Sequence, residues 1–150
     1  MTAASRLLLL DTNIVIFLSR AGVIGPAIDA RFQLRVRGDR PLLSAITLGE
    51  ALAFAQFRNW GPPRLATLRD VLRGFVTVDI TSRTVLERYA EIGTYLTRNG
   101  RAVADNDVWI AACASAADAT LLTTDRDFDP LHGEYLNRIW IDPHNPGTTS

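Results

Sequence analysis

The feature that most constrains this chain is a run of four leucines, Leu7 to Leu10, that stops at Asp11. A continuous apolar run this short is consistent with a strand buried on both faces. Further strands are predicted at Pro41 to Ala45, at Phe75 to Ile80 with β-branched alternation, at Ala119 to Thr123 and at Arg138 to Asp142. Helical periodicity fills the intervals. Asp11 or Thr12 can cap a helix through Ile14, Phe17 and Leu18 that stops near Gly22, and Ile28, Phe32 and Val36 mark a second over residues 26–36. Thr47 and Glu50 have the spacing of a capping box, which predicts a third helix through Leu52, Phe54, Ala55 and Phe57 as far as Trp60. A fourth is predicted over 64–74, and a long one follows Thr81 or Ser82 and closes at Asn99-Gly100. The last runs from Asp105 to Ala117. Strands alternating with helices imply an α/β fold, a parallel sheet with helices on both faces. In such sheets, sites form beyond the carboxyl ends of the strands.

A chain of 150 residues with 47% hydrophobic content has enough apolar side chain for one substantial core. We expect a single domain over residues 1–142 and a flexible tail over 143–150. The formal charge is zero, whereas nucleic-acid binders tend to be basic overall; a net charge, however, averages over patches. All the basic residues are arginine. Without lysine there is no Walker-type phosphate loop and no Schiff-base chemistry. Cys113 is the only cysteine, so no intramolecular disulfide forms, and its alanine-rich surroundings predict a small buried helix residue. No apolar stretch approaches the length of a membrane span, and Leu7 to Leu10 is too short for a secretory signal. These features predict a cytoplasmic protein.

Four carboxylates fall at strand ends or helix starts: Asp11, Glu50, Asp107 and Asp125. An alternating β/α frame brings these positions to one edge of the sheet if the strand order allows. Converging acids repel one another unless a cation lies between them, and an all-oxygen set suits Mg²⁺ or Mn²⁺. Each acid also has a plain structural role open to it. Asp11 can cap a helix, Glu50 can return to the backbone of Thr47, and Asp105 and Asp107 can complement a helix dipole. Asp125, Asp127 and Asp129 alternate like an EF-hand loop. The glycine and glutamate that such a loop requires are replaced by Pro130 and Leu136. One acid of this trio is expected in the site, with the others capping turns or facing solvent.

Four blocks carry a resemblance: Asp11-Thr-Asn-Ile, Ser44-x-x-Thr-x-x-Glu50, Asn106-Asp107-x-Trp-Ile-Ala-Ala, and Thr123-x-Asp125-x-Asp-Phe. In this order they resemble the PIN domain, and in particular the VapC toxins of bacterial type II toxin–antitoxin pairs, from about Leu7 to Ile141. The resemblance implies a three-layer α/β/α fold with a mainly parallel sheet. It implies a catalytic set of Asp11, Glu50, Asp107 and Asp125, with Asp11 and Asp107 as the main metal ligands. Thr12, Asn13 and Thr123 match supporting positions, with Asp127 beside them. Asp105 departs from the family pattern and adds a fifth acid, although the Val-Trp-Ile-Ala-Ala that follows favours Asp107 as the ligand.

The activity implied is Mg²⁺-dependent hydrolysis of RNA, with Mn²⁺ able to substitute, by a toxin held in check by a cognate antitoxin. The antitoxin would occupy a groove near Phe17, Phe54 and Phe57. A homodimer and larger toxin–antitoxin assemblies are also implied. Arg31, Arg35, Arg98 and Arg101 are candidate RNA contacts, with Arg37 and Arg40 in the same segment as the first two; the alternative for that segment is surface pairing with Asp29 and Asp39. The rival function is a catalytically silent PIN-like module that binds RNA or protein, whose mark would be a missing acid. A haloacid-dehalogenase-type phosphatase would need aspartate where Asn13 stands. A receiver domain would need lysine. His132 and His144 lack the nucleophile motif of a serine hydrolase.

Overall fold

A computed structural model describes residues 7–147. The first six residues, and the last three of the expected tail, lie outside that range. Five strands form one sheet: β1 (Leu8–Leu10), β2 (Leu42–Ser44), β3 (Val76–Val78), β4 (Thr120–Thr123) and β5 (Asn137–Trp140). Six α-helices connect them: α1 (Thr12–Ser19), α2 (Ile24–Phe32), α3 (Ala45–Phe57), α4 (Pro62–Arg73), α5 (Arg83–Arg98) and α6 (Asp105–Ala116). A 3₁₀ helix over Arg126–Leu131 precedes β5. It was not foreseen, because the alternating aspartates there read only as turn residues. The sheet order is β3-β2-β1-β4-β5, and every pairing is parallel.

The leucine run becomes the central strand, buried on both sides as its continuous pattern predicts. Leu8 and Leu10 face one core with Ile14, Val15, Ile28, Leu68 and Val71, beneath α1, α2 and α4. Leu9 points the other way, to Ile92, Ile110, Ala111 and Phe128 under α5, α6 and the 3₁₀ helix. One residue of register slip would exchange these faces, so β1 locks the sheet to both layers. Leu8, Leu9 and Leu10 pair with Thr120, Leu121 and Leu122 of β4. The Asp11 N–H continues that ladder to the Leu122 carbonyl at 2.9 Å.

Gly25 lets α2 turn tightly back against α1: a Cβ there would fall 2.2 Å from the Phe17 carbonyl oxygen. Cys113 is buried on α6, as expected, with its thiol 3.3 Å from Ser44 Oγ. Beyond β5, residues 143–147 form turns, and Arg31 Nη1 donates to the Pro146 carbonyl. No single helix among the described residues is long and apolar enough to cross a membrane.

The topology decides where a site lies. The chain leaves β1 toward β2 and β3, then crosses back to place β4 on the other flank of β1. The carboxyl ends of β1 and β4 therefore border the point where the winding reverses. Open α/β sheets leave a crevice there because the connecting helices diverge to opposite faces.

Candidate metal centre

Asp11 stands at the end of β1 and caps α1. Its Oδ1 accepts from the Thr12 N–H at 2.8 Å, and its Oδ2 accepts from the Thr123 hydroxyl at 2.7 Å. Thr123 ends β4, so this bond ties the two strand ends together across the crevice. The same hydroxyl oxygen accepts from the Asp125 N–H at 2.9 Å, which aims the following turn. Asp11 is only 4% exposed. Burial is the main reason its carboxyl is raised from 3.8 to about 6, with Asp125 and Glu50 adding to the rise and the two hydrogen bonds opposing it.

Glu50 corrects an expectation. The third helix begins at Ala45, not after Thr47, and its cap is Ser44, whose Oγ accepts from the Ile46 N–H at 3.2 Å. Thr47 is thus inside the helix and buried, and there is no capping box to hold Glu50. The carboxylate instead reaches across to neighbouring elements. Its Oε1 accepts from the Thr12 hydroxyl at 2.7 Å, and its Oε2 accepts from Asn106 Nδ2 at 3.2 Å. The Thr47 hydroxyl lies 3.0 Å from that of Thr12. Three helices are joined through this one side chain.

Asp107 lies in the first turn of α6. Burial, reinforced by the charges of Asp11, Asp125, Glu50 and Asp127, lifts its carboxyl from 3.8 to about 7. Oxygens of Asp107, Asp125 and Asp127 all lie within 4.8 Å of one another, close enough to share a cation. Two acids of the alternating trio enter the cluster, not one. The 3₁₀ helix explains this, since Asp125 caps it by accepting from the Asp127 N–H at 2.8 Å and so places both residues on the pocket side. Asp129 turns away to Arg126 and Arg138.

Asp11 lies beside this trio, not within it, with both its oxygens already engaged. Asp105 is drawn off in another direction: its Oδ1 accepts from the Tyr89 hydroxyl at 2.6 Å. The Tyr89 ring stacks on Trp109 with centroids 3.8 Å apart. Asn13 is exposed and makes no side-chain hydrogen bond among the described residues.

The arginines divide into two groups. Arg35 pairs with Asp29 and donates to the Leu18 carbonyl, near the end of α1 remote from Asp11. Arg31 packs over Phe32, and Arg37 and Arg40 donate to main-chain carbonyls. Arg40 precedes β2 and reaches the segment before β3, at the amino edge of the sheet. Arg98 and Arg101, by contrast, line a cleft beside α6 that also includes Asp105.

Sequence reasoning missed Asn106 as a holder of Glu50, although it adjoins Asp107 in the same motif. It also missed Arg126, whose guanidinium carbon lies 3.6 Å from the Trp140 ring centroid. No local pattern joins residues on the 3₁₀ helix to one on β5.

Five carboxylates converging from four elements, two of them raised toward neutrality, form a pocket that is costly to ionise empty and suited to a hard divalent cation. Known proteins share the fold and the sequence pattern that build this pocket. Residues 8–133 match the PIN domain. Ribonuclease VapC1 of Haemophilus influenzae is 30% identical over 117 residues, 77% of this chain and 84% of that one. In fold, the chain is similar to VapBC2 from Rickettsia felis, solved bound to a DNA fragment from its promoter: TM-score 0.77, 23% identity, 88% of this chain and 96% of that one. It is likewise similar to a chain of VapBC-5 from Mycobacterium tuberculosis, a member of the VapBC family of toxin–antitoxin systems: TM-score 0.65, 26% identity, covering 89% and 97% of the two chains.

Proposed function

The chain belongs to the PIN domain family, related to the VapC ribonucleases, and from that premise we propose that it is a Mg²⁺-dependent endoribonuclease, the toxin of a type II toxin–antitoxin pair. One observation carries the reading: Asp107, Asp125 and Asp127 come within cation-sharing distance beside Asp11 and Glu50 at the carboxyl edge of the sheet. No member of the acid set is replaced, which removes the mark expected of a silent module.

In this reading Asp107, Asp125 and Asp127 hold the ion, and Asp11 adds charge beside them or joins them once Asp107 ionises. When bound, Mg²⁺ supplies the positive charge that activates water and offsets charge building on the phosphate. The protein's own residues do the positioning. Thr123 fixes Asp11 and the Asp125 turn in one geometry. Thr12 and Asn106 hold Glu50 from both of its oxygens, so it faces the pocket as an acceptor for a proton from water. No cysteine, serine or histidine nucleophile is required, and none lies in the acid cluster.

The antitoxin partner is inferred from the toxin–antitoxin complexes among the structural neighbours. Phe57, 84% exposed on α3, with Phe54 of the same helix and Phe17 of α1 partly buried over the core, is the apolar surface we assign to that partner. A homodimer completes the proposal.

Purified Asp11→Asn and Asp107→Asn variants are each expected to lose RNA cleavage while unfolding cooperatively like the parent. EDTA should stop the parent reaction, and Mn²⁺ should restore it. Cleavage at the parent rate by either variant in Mg²⁺ would sink the mechanism.

A further inference from the structure

We propose that the cleft between the Gly100–Val103 loop and the 3₁₀ helix is the track along which an RNA strand enters the acidic pocket, with Arg101 and Arg126 gripping phosphates that flank the one cleaved. This rests on reading the pocket as a ribonuclease centre, and it adds the direction of approach and the residues that set it.

The cleft is continuous with the site. Asp127 lines one wall and also belongs to the carboxylate trio, while Arg101 and Arg126 stand on opposite walls. An occupant of the cleft therefore ends at the metal ligands.

The two arginines are presented differently, and both presentations suit an anion. Arg101 is exposed on its loop, and its guanidinium has no hydrogen-bond or ion-pair partner among the described residues. Most other arginines of the chain are paired with an acid, donate to a carbonyl or lie over an aromatic ring. Arg126 is held in place: its guanidinium lies over the Trp140 ring at 3.6 Å, and Trp140 Nε1 in turn donates to the Thr124 carbonyl at 3.0 Å. That bond anchors the platform to the residue before Asp125, so the cation and the acid move as one unit. Its Nη1 reaches Asp129 at 3.4 Å, and the remaining guanidinium donors have no partner among the described residues; held by the stack, they lose little freedom on binding phosphate.

The remaining acid in the cleft is already balanced. Asp129 accepts from Arg126 at 3.4 Å and from Arg138 at 2.9 Å. With Asp127 turned to a cation, the wall that faces RNA is positive, while the pocket beyond it is acidic. A polyanion entering from this side meets arginine and the paired Asp129 first, and unpaired carboxylates only where the ion lies. Arg35, Arg37 and Arg40, bonded to an acid or to main-chain carbonyls elsewhere, do not compete for this role.

The test measures binding and not turnover. In an Asp11→Asn background, which keeps the RNA whole, fluorescence anisotropy of a labelled, randomised single-stranded RNA is followed in Mg²⁺ over a range of NaCl. Arg101→Gln and Arg126→Gln should each weaken binding by about fivefold or more, and each should flatten the log–log salt dependence by about 0.7, the slope of one phosphate contact on single-stranded nucleic acid. Arg69→Gln, an exposed arginine on α4 across the sheet, should leave both unchanged. Unaltered affinity and slope in the two cleft variants, with the background chain still binding, would overturn the track. If the unsubstituted chain neither binds nor cuts RNA, the ribonuclease reading itself falls, and the track falls with it.

Discussion

Replacing Asp107 with asparagine should make the metal-free protein more stable above neutral pH. Burial and four neighbouring acids hold this carboxyl at about 7 in the fold, against an ordinary 3.8. Between those values the folded chain binds more protons than the unfolded one, so stability falls as pH rises through that window. Below about pH 4 both states are protonated and nothing is lost; above about pH 7 the whole penalty is present. The interval corresponds to ~4 kcal/mol of disfavoured ionisation. Water reaches the half-buried carboxyl and screens it, so we expect about 2 kcal/mol in practice. Asparagine keeps the shape and removes the charge. In a domain of this size that gain raises Tm by about 4–8 °C. The assay is thermal unfolding of parent and variant in EDTA at pH 8 and again near pH 4.5, where the difference should shrink. Saturating Mg²⁺ should narrow the difference at pH 8, because an ion at a hundredfold excess over its Kd stabilises the parent by about 2.7 kcal/mol and the variant, with one acid fewer, by less. A variant no more stable than the parent at pH 8 in EDTA, or equally favoured at both pH values, would refute the claim that the pocket stores charge repulsion.

Asp105→Asn should keep cleavage within a fewfold of the parent, because that carboxylate is turned to Tyr89; a loss as deep as that of Asp107→Asn, in the same RNA assay, would place it at the ion instead. Thr123→Val removes the donor that lowers the Asp11 carboxyl and the acceptor of the Asp125 N–H. It should shift the pH midpoint of Mg²⁺ binding upward, as read by calorimetric titration, and cost about 1–3 kcal/mol in urea unfolding; an unshifted midpoint would contradict the role given to this hydroxyl. Gly25→Ala should destabilise the fold by about 1–3 kcal/mol, since its Cβ would collide with the Phe17 carbonyl; an unchanged urea midpoint would show that α2 can shift freely.

Much of this protein was legible from local pattern. Apolar runs of strand length, alternating with helical periodicity, determine an α/β sheet because buried strands and amphipathic helices differ in repeat. The leucine run ending at Asp11 marks both the central strand and an acid at its carboxyl end. The order of the four blocks points to the family. What the sequence left open depends on partners distant along the chain. Strand order placed β4 against β1, and so Asp125 beside Asp11. The start of α3 at Ala45, capped by Ser44, decided between the two roles open to Glu50, because it carries that residue past the first turn, where a return bond to the helix start is out of reach, and leaves its carboxylate to the pocket. The 3₁₀ helix brought Asp127 into the trio, and Tyr89 took Asp105 out of it. Sequence determined which carboxylates were available at the sheet edge. Only the tertiary structure decided which ones meet, since repulsion between them is overcome by packing and hydrogen bonds that join residues as far apart as Thr12 and Glu50, or Asp11 and Thr123.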